Sequence, residues 1–264
     1  MNVSEEKISN DLLGSISYNF VELTKRPSEE IEINLEIEPL HSCNLPNKTL
    51  LVSSDSSHCF KMLNSDLKII KTIDKINNES FTPRYITTDG RNKIFFTALK
   101  SRIIKTDLDF KFIKQFGSKG TGNENLDKPC GICYFEEFIY VCDYNNQRIQ
   151  KLNENLVYQE SYRINYKPWE IEVKNSVACI RPGSELFLLF YNLNPFFFKT
   201  KVSNVHGLIT SFNSWFYQYN NRRELICCYN INGELVSEKK LKVNTVKKNS
   251  ILNYFDEKLI ILKK

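Results

Sequence analysis

Apolar residues along this chain gather into short runs that recur at nearly even intervals. They are Leu50-Leu51-Val52, Ile94-Phe95-Phe96, Phe138 to Cys142, Val177 to Ile180, Trp215-Phe216-Tyr217 and Leu259 to Leu262. Each is strand-sized, and a continuous run of strand formers predicts a strand covered on both faces. Between the runs the pattern changes. Ile31, Ile33, Leu35 and Ile37 alternate with Glu32, Asn34, Glu36 and Glu38. That alternation predicts a strand over Glu30–Ile37 with one apolar and one largely acidic face. Phe110, Phe112 and Phe116 are separated by Lys111, Lys114 and Gln115, with one slip at Ile113, and predict a second half-exposed strand.

Punctuation between these runs repeats as well. Pro83, Pro129 and Pro168 precede successive copies, 46 and then 39 residues apart. Lys128-Pro129-Cys130-Gly131-Ile132 and Lys167-Pro168-Trp169-Glu170-Ile171 align without a gap as far as Val141 and Ile180. Proline holds its neighbours near extended angles, so each of these marks the start of a strand. Asp143-Tyr144-Asn145-Asn146 is turn chemistry, because its short polar side chains bond to nearby backbone. Phe116 to Gly122 is a glycine loop. The fullest copy is Gln115 to Leu152. Six copies share the chain at about 44 residues each, the length of one four-stranded unit.

Over that fullest copy, FGSKGTGNENLDKPCGI followed by FIYVCDYNNQRIQ resembles the NHL repeat of six-bladed β-propellers. The resemblance is specific over about one repeat and rests on spacing elsewhere. It implies an all-β, six-bladed β-propeller. After Leu259–Leu262 the chain stops, two strands into its sixth copy. Before Pro39 lie two strands without an inner pair, Ile16 to Leu23 and Glu30 to Ile37. The expectation is that these N-terminal strands complete the C-terminal blade and close the ring, which removes an unpaired sheet edge. Residues 1–12 are then a polar tail, and residues 13–264 a single propeller domain.

Composition agrees with one large β domain. Of 264 residues, 41% are hydrophobic and 12% aromatic, enough to bury a core. The formal charge is +5, mildly basic, which permits an anionic partner without requiring one. The N-terminus is polar and acidic, and no apolar run approaches the ~18 residues of a membrane span. The expected address is the cytoplasm, with no membrane attachment. Eight cysteines, most of them in or beside strand runs, read there as reduced core residues.

Several chemistries are excluded by spacing. Gly117 and Gly122 are spaced like P-loop glycines, but Asn123 stands where the phosphate-binding lysine belongs. Cys130 and Cys133 have metal-ligand spacing, yet residues three apart in a strand point to opposite faces, and no second pair accompanies them. His41, His58 and His206 have no ligand spacing, and no carboxylate matches them in the copies. We therefore expect no catalytic residue, no metal and no cofactor. Asp143, Asn146 and Arg148 read as turn and loop supports.

The propeller plan puts the loops that enter the inner strands on one face with the turns between second and third strands. Arg84, Lys100, Lys128, Tyr144, Lys167, Trp169, His206 and Arg222 fall there and are the candidate partner-binding residues. Acidic residues are fewer on that face. The expected function is a monomeric, non-enzymatic binding or scaffold module that recognises a protein or peptide through this face. Single-stranded RNA is the alternative, since cations interleaved with aromatics suit phosphates and unpaired bases. A propeller hydrolase or lyase is the remaining reading.

Overall fold

The computed structural model describes residues 29–174, 177–182, 187–191, 197–200, 209–212, 215–220, 225–229, 235–240, 251–255 and 258–263. Among them all regular structure is β, and no helix is long and apolar enough to cross a membrane. Strand β1 is Glu29–Asn34. The first four-stranded sheet is β2 (His41–Leu45), β3 (Thr49–Ser54), β4 (Cys59–Leu63) and β5 (Ile69–Ile73). A small ribbon follows, β6 (Lys75–Ile76) with β7 (Glu79–Ser80). Asn77 and Asn78 both have positive φ, 54° and 63°, the geometry of a two-residue hairpin turn. The second sheet is β8 (Pro83–Thr88), β9 (Lys93–Ala98), β10 (Arg102–Asp107) and β11 (Phe112–Phe116). The third is β12 (Pro129–Phe135), β13 (Phe138–Asp143), β14 (Arg148–Asn153) and β15 (Tyr158–Arg163).

Two more antiparallel meanders continue the series. They are β16 (Pro168–Lys174), β17 (Val177–Pro182), β18 (Phe187–Tyr191) and β19 (Phe197–Thr200), then β20 (Ile209–Phe212), β21 (Trp215–Asn220), β22 (Leu225–Tyr229) and β23 (Leu235–Lys240). The last two strands, β24 (Ile251–Phe255) and β25 (Lys258–Lys263), form a hairpin, and β1 adds to it beside β25. All six apolar runs lie in second strands: β3, β9, β13, β17, β21 and β25. In β3 every residue is buried, as a strand sandwiched between neighbouring sheets must be. First strands lie side by side, β2 with β8, β8 with β12, β12 with β16, β16 with β20, β20 with β24, and β24 with β2.

β1 pairs with β25 in parallel, Glu29 opposite Lys258 through Asn34 opposite Lys263. The direction follows from connectivity. A strand that feeds straight into a first strand must run opposite to it, as the fourth strand of a meander does. β1 is also shorter than the alternation predicts. It ends at Asn34, whose Oδ1 accepts from the amide of Glu36, and Glu36 sits at φ +58°. This turn sends Leu35 and Ile37 into the interior, where they pack with Leu50, Val52, Leu63 and Leu262. The predicted strand Ile16–Leu23 and the tail lie outside the described residues.

Bonds between sheets recur at equivalent positions. The Ser53 hydroxyl at the end of β3 donates to the Arg84 carbonyl of the second sheet. Thr97, its counterpart in β9, donates to the Cys130 carbonyl of the third sheet at 2.8 Å and accepts from the amide of Tyr85. Lys105 and Lys114 reach from the second sheet to the Glu154 and Asn155 carbonyls of the third, both at 2.7 Å. A ring cluster of Phe60, Phe81, Phe96 and Phe110 fills the space between the first two sheets.

Candidate functional site

Three first strands open on the same four-residue frame, Pro83-Arg84-Tyr85-Ile86, Pro129-Cys130-Gly131-Ile132 and Pro168-Trp169-Glu170-Ile171. Each carries a β-bulge there. In β8, Pro83 pairs with Ala98 and Ile86 with Phe96, so Arg84 and Tyr85 together face Thr97. A bulge re-aims side chains that regular pleating would send to opposite faces. Gly131 occupies the middle bulge because nothing larger fits. A Cβ there would lie 2.6 Å from the Glu170 Cα, so the β12 and β16 backbones touch.

These bulges bring together five of the eight predicted binding residues. Trp169 and Tyr144, the latter in the β13–β14 turn, meet edge to face with centroids 5.4 Å apart. The Lys128 ammonium lies 4.6 Å from the Tyr144 ring centre and 5.4 Å from that of Trp169. Lys167 lies 5.3 Å from Tyr144, and the Arg84 guanidinium 5.6 Å from Trp169. Arg84 is buried, Lys128 and Lys167 are exposed, and the two rings are half-buried. Among the described residues no ion pair involves Arg84, Lys128 or Lys167. The three cations lie against aromatic faces and, among the described residues, form no ion pair with a carboxylate. Lys100 lies in the exposed β9–β10 turn at φ +67°, outside these contacts. His206 and Arg222 lie outside the described residues.

A second tier sits with this rim. The Glu170 carboxylate, on β16, accepts from Arg181 Nε, on β17, at 2.9 Å, with both side chains largely buried. Burial is the largest single influence and works against the Arg181 charge, but Glu170, Tyr85 and Cys142 together outweigh it and raise the pKa, so the guanidinium stays protonated. Tyr85 is fully buried, and its phenol is pushed well above the usual range by burial and then by Glu170. Sequence reasoning missed Tyr85 and Glu170. The signal was present in the shared Pro-x-x-Ile frame, which makes Tyr85, Gly131 and Glu170 equivalent.

His41, at the start of β2, borders the same tier. Its ring lies 5.0 Å from that of Tyr85, and its Nδ1 accepts the Ile86 amide at 3.3 Å. Burial lowers its pKa to about 4. Above pH ~6.5 the histidine is neutral folded or unfolded and imposes no cost. As pH falls from ~6.5 toward 4, only the unfolded chain takes up the proton, so stability drops, by about 2–3 kcal/mol in all. His41→Gln, which can still accept from Ile86, is expected to lose this part of the slope in thermal melts between pH 7.5 and 4. An unchanged slope in the variant would show that His41 is not the titrating group.

The remaining candidates are structural. Asp143 is fully buried and accepts from the Asp127 amide at 2.7 Å, Arg148 Nε at 2.7 Å and Asn146 Nδ2 at 2.8 Å. Arg148 then donates to the Gly122 and Asn125 carbonyls, fastening the glycine loop. Cys130 and Cys133 diverge as the spacing predicts. Cys130 Sγ contacts Arg84, and Cys133 Sγ contacts the Val173 backbone. Among the described residues no group of three or more His, Cys, Asp or Glu side chains is placed to hold a metal ion.

No family model matches the sequence, and no curated protein matches it. Solved structures do. A chain of the nidogen/laminin complex superposes with a TM-score of 0.62 at 13% identity, covering 85% of this chain and 84% of that one. A streptogramin B lyase gives 0.61 at 15% identity, over 82% and 72%. Virginiamycin B lyase from Staphylococcus aureus gives 0.60 at 14% identity, over 82% and 73%. These neighbours are β-propellers, and two of them are lyases. The lyases overturn the expectation of a non-enzymatic scaffold that recognises protein or peptide. That expectation took function from the family's common use, whereas function resides in the site a fold carries, and this fold carries enzymes too. At such identities the likeness is one of architecture: the chain is an all-β protein with the β-propeller fold.

Proposed function

We propose that the chain is a six-bladed, NHL-like propeller whose ring is closed by β1, and that one end of the ring binds a small anionic organic molecule. The single observation that carries the binding is the set of three cations, Arg84, Lys128 and Lys167, gathered on Tyr144 and Trp169 with no ion-paired carboxylate among the described residues. Like charges held this close repel one another, and a bound oxyanion relieves that cost while accepting their hydrogen bonds. Six successive sheets, their first strands in a continuous series, and the β1–β25 pair support the closed ring.

The test is a fluorescence titration in a Trp215→Phe background, where Trp169 alone reports. Adenosine 5′-monophosphate and citrate are expected to give saturable changes that weaken several-fold as salt rises from about 50 to 200 mM. Adenosine at equal concentration is expected to give none. No saturable response to either anion, or equal binding of adenosine, would refute the reading. So would an oligoribonucleotide that binds far more tightly than the mononucleotide, since that marks a polymeric ligand.

A further inference from the structure

Two buried donor atoms, one in the rim and one in the tier below it, have no partner. Arg84 is 7% exposed and Tyr85 is 0% exposed, yet Arg84 Nε and the Tyr85 hydroxyl make no hydrogen bond. Leaving such a group unsatisfied costs about 1–3 kcal/mol, so a native fold that keeps two on adjacent residues calls for an explanation. Neither results from poor local packing. The Tyr85 ring is locked against His41, and the Tyr85 amide is satisfied by Thr97. The Arg84 main chain is held by its carbonyl, which accepts from Ser53, and its guanidinium by Nη1, which meets Cys130 Sγ at 3.6 Å. The β8 bulge is what places these consecutive side chains at one end of the strand.

We infer that Arg84 Nε and the Tyr85 hydroxyl are ligand-facing donors, and that the anion they take is a phosphomonoester. The inference rests on the anion-binding reading above and deepens it. A terminal phosphate offers three oxygens and close to two negative charges. Arg84, Tyr85, Lys128 and Lys167 together supply more donors, and more charge, than the two oxygens and single charge of a carboxylate can use. The phenol suits this role because burial and Glu170 keep it protonated, a donor throughout the physiological range. Arg84 suits it because its charge is spent on no carboxylate among the described residues.

The experiment measures binding of adenosine 5′-monophosphate, inorganic phosphate and acetate to the full chain and to Tyr85→Phe and Arg84→Lys, with a thermal melt of each. The expected results are at least tenfold weaker phosphomonoester binding in Tyr85→Phe, no loss of its melting temperature, and acetate far weaker than phosphate. Tyr85→Phe binding as tightly as the parent would overturn the inference, as would acetate matching phosphate. A lower melting temperature with unchanged binding would overturn it too, by making the hydroxyl structural. Should Arg84→Lys fail to fold, Tyr85→Phe still decides. Lys128→Ala/Lys167→Ala separates the two levels. If it weakens anion binding while Tyr85→Phe does not, the rim stands and the lower tier falls.

Discussion

Asp143→Ala is expected to destabilise the protein by about 3–5 kcal/mol, because it leaves a buried guanidinium without its counter-charge. Asp143 is the hub of its sheet's turn end. One oxygen takes the Asp127 amide at 2.7 Å, and the other takes Arg148 Nε at 2.7 Å and Asn146 Nδ2 at 2.8 Å. Arg148 is 8% exposed and cannot recover water for its charge. The loss propagates, since Arg148 and Gln150 both donate to the Asn125 carbonyl and Arg148 also to that of Gly122. For a chain this size the melting temperature is expected to fall by roughly 10 °C. Asp143→Ala/Arg148→Met is expected to cost less than the two single changes added together, because it removes the stranded charge. Urea denaturation of the four proteins checks both statements. A single variant that melts within a degree of the parent would mean the pair carries no weight.

Removing residues 1–37 is the second large effect. Leu35 and Ile37 are 0% and 7% exposed and pack with Leu50, Val52, Leu63 and Leu262, all fully buried. That cluster joins the segment after β1 to the first sheet and to β25, the two ends of the described chain. Each lost side chain forfeits about 1.5–3 kcal/mol of burial. The truncation also strips β25 of its partner on one edge and leaves that edge open, which templates association. The expected result is a loss of about 4–6 kcal/mol in urea denaturation, with self-association visible by size-exclusion chromatography. A truncated chain that is monomeric and as stable as the parent would contradict this.

Much of the architecture was legible because burial on two faces leaves an unambiguous trace. Leu50-Leu51-Val52 and Ile94-Phe95-Phe96 have no polar position to turn outward, so each had to be a covered strand, and each is fully buried. The prolines at 83, 129 and 168 marked the first strands for an equally direct reason, their fixed extended angles. The supporting role of Arg148 followed from its place after a turn built by Asp143 and Asn146. Less legible was anything that breaks a period. Alternation carried the first strand on to Ile37, but the turn at Asn34 and Glu36 ends it three residues sooner. The Asn77-Asn78 hairpin has flanking strands too short to show a pattern.

The site divides in the same way. Repeat alignment placed Arg84, Lys128, Tyr144, Lys167 and Trp169 at one end, and the structure packs them together. Tyr85 was invisible to that logic. A regular strand sends the neighbour of Arg84 to the opposite face, and only the bulge opposite Thr97 keeps it near. Lys100 shared the end but not the contacts, since its turn holds it out in solvent. Function was the least legible, because one fold serves a partner in a protein complex and enzymes alike.

The closed ring depends on β1 and β25 meeting in one sheet. Hydrogen exchange reads this directly. In the full chain the amides of β1 and β25 are expected to exchange slowly and together. In the 38–264 chain, the β25 amides on the edge that faces β1 are expected to lose their protection while β13 keeps its own. If β25 exchanges at the same rate with and without residues 1–37, the strands do not pair, and the closed ring is contradicted.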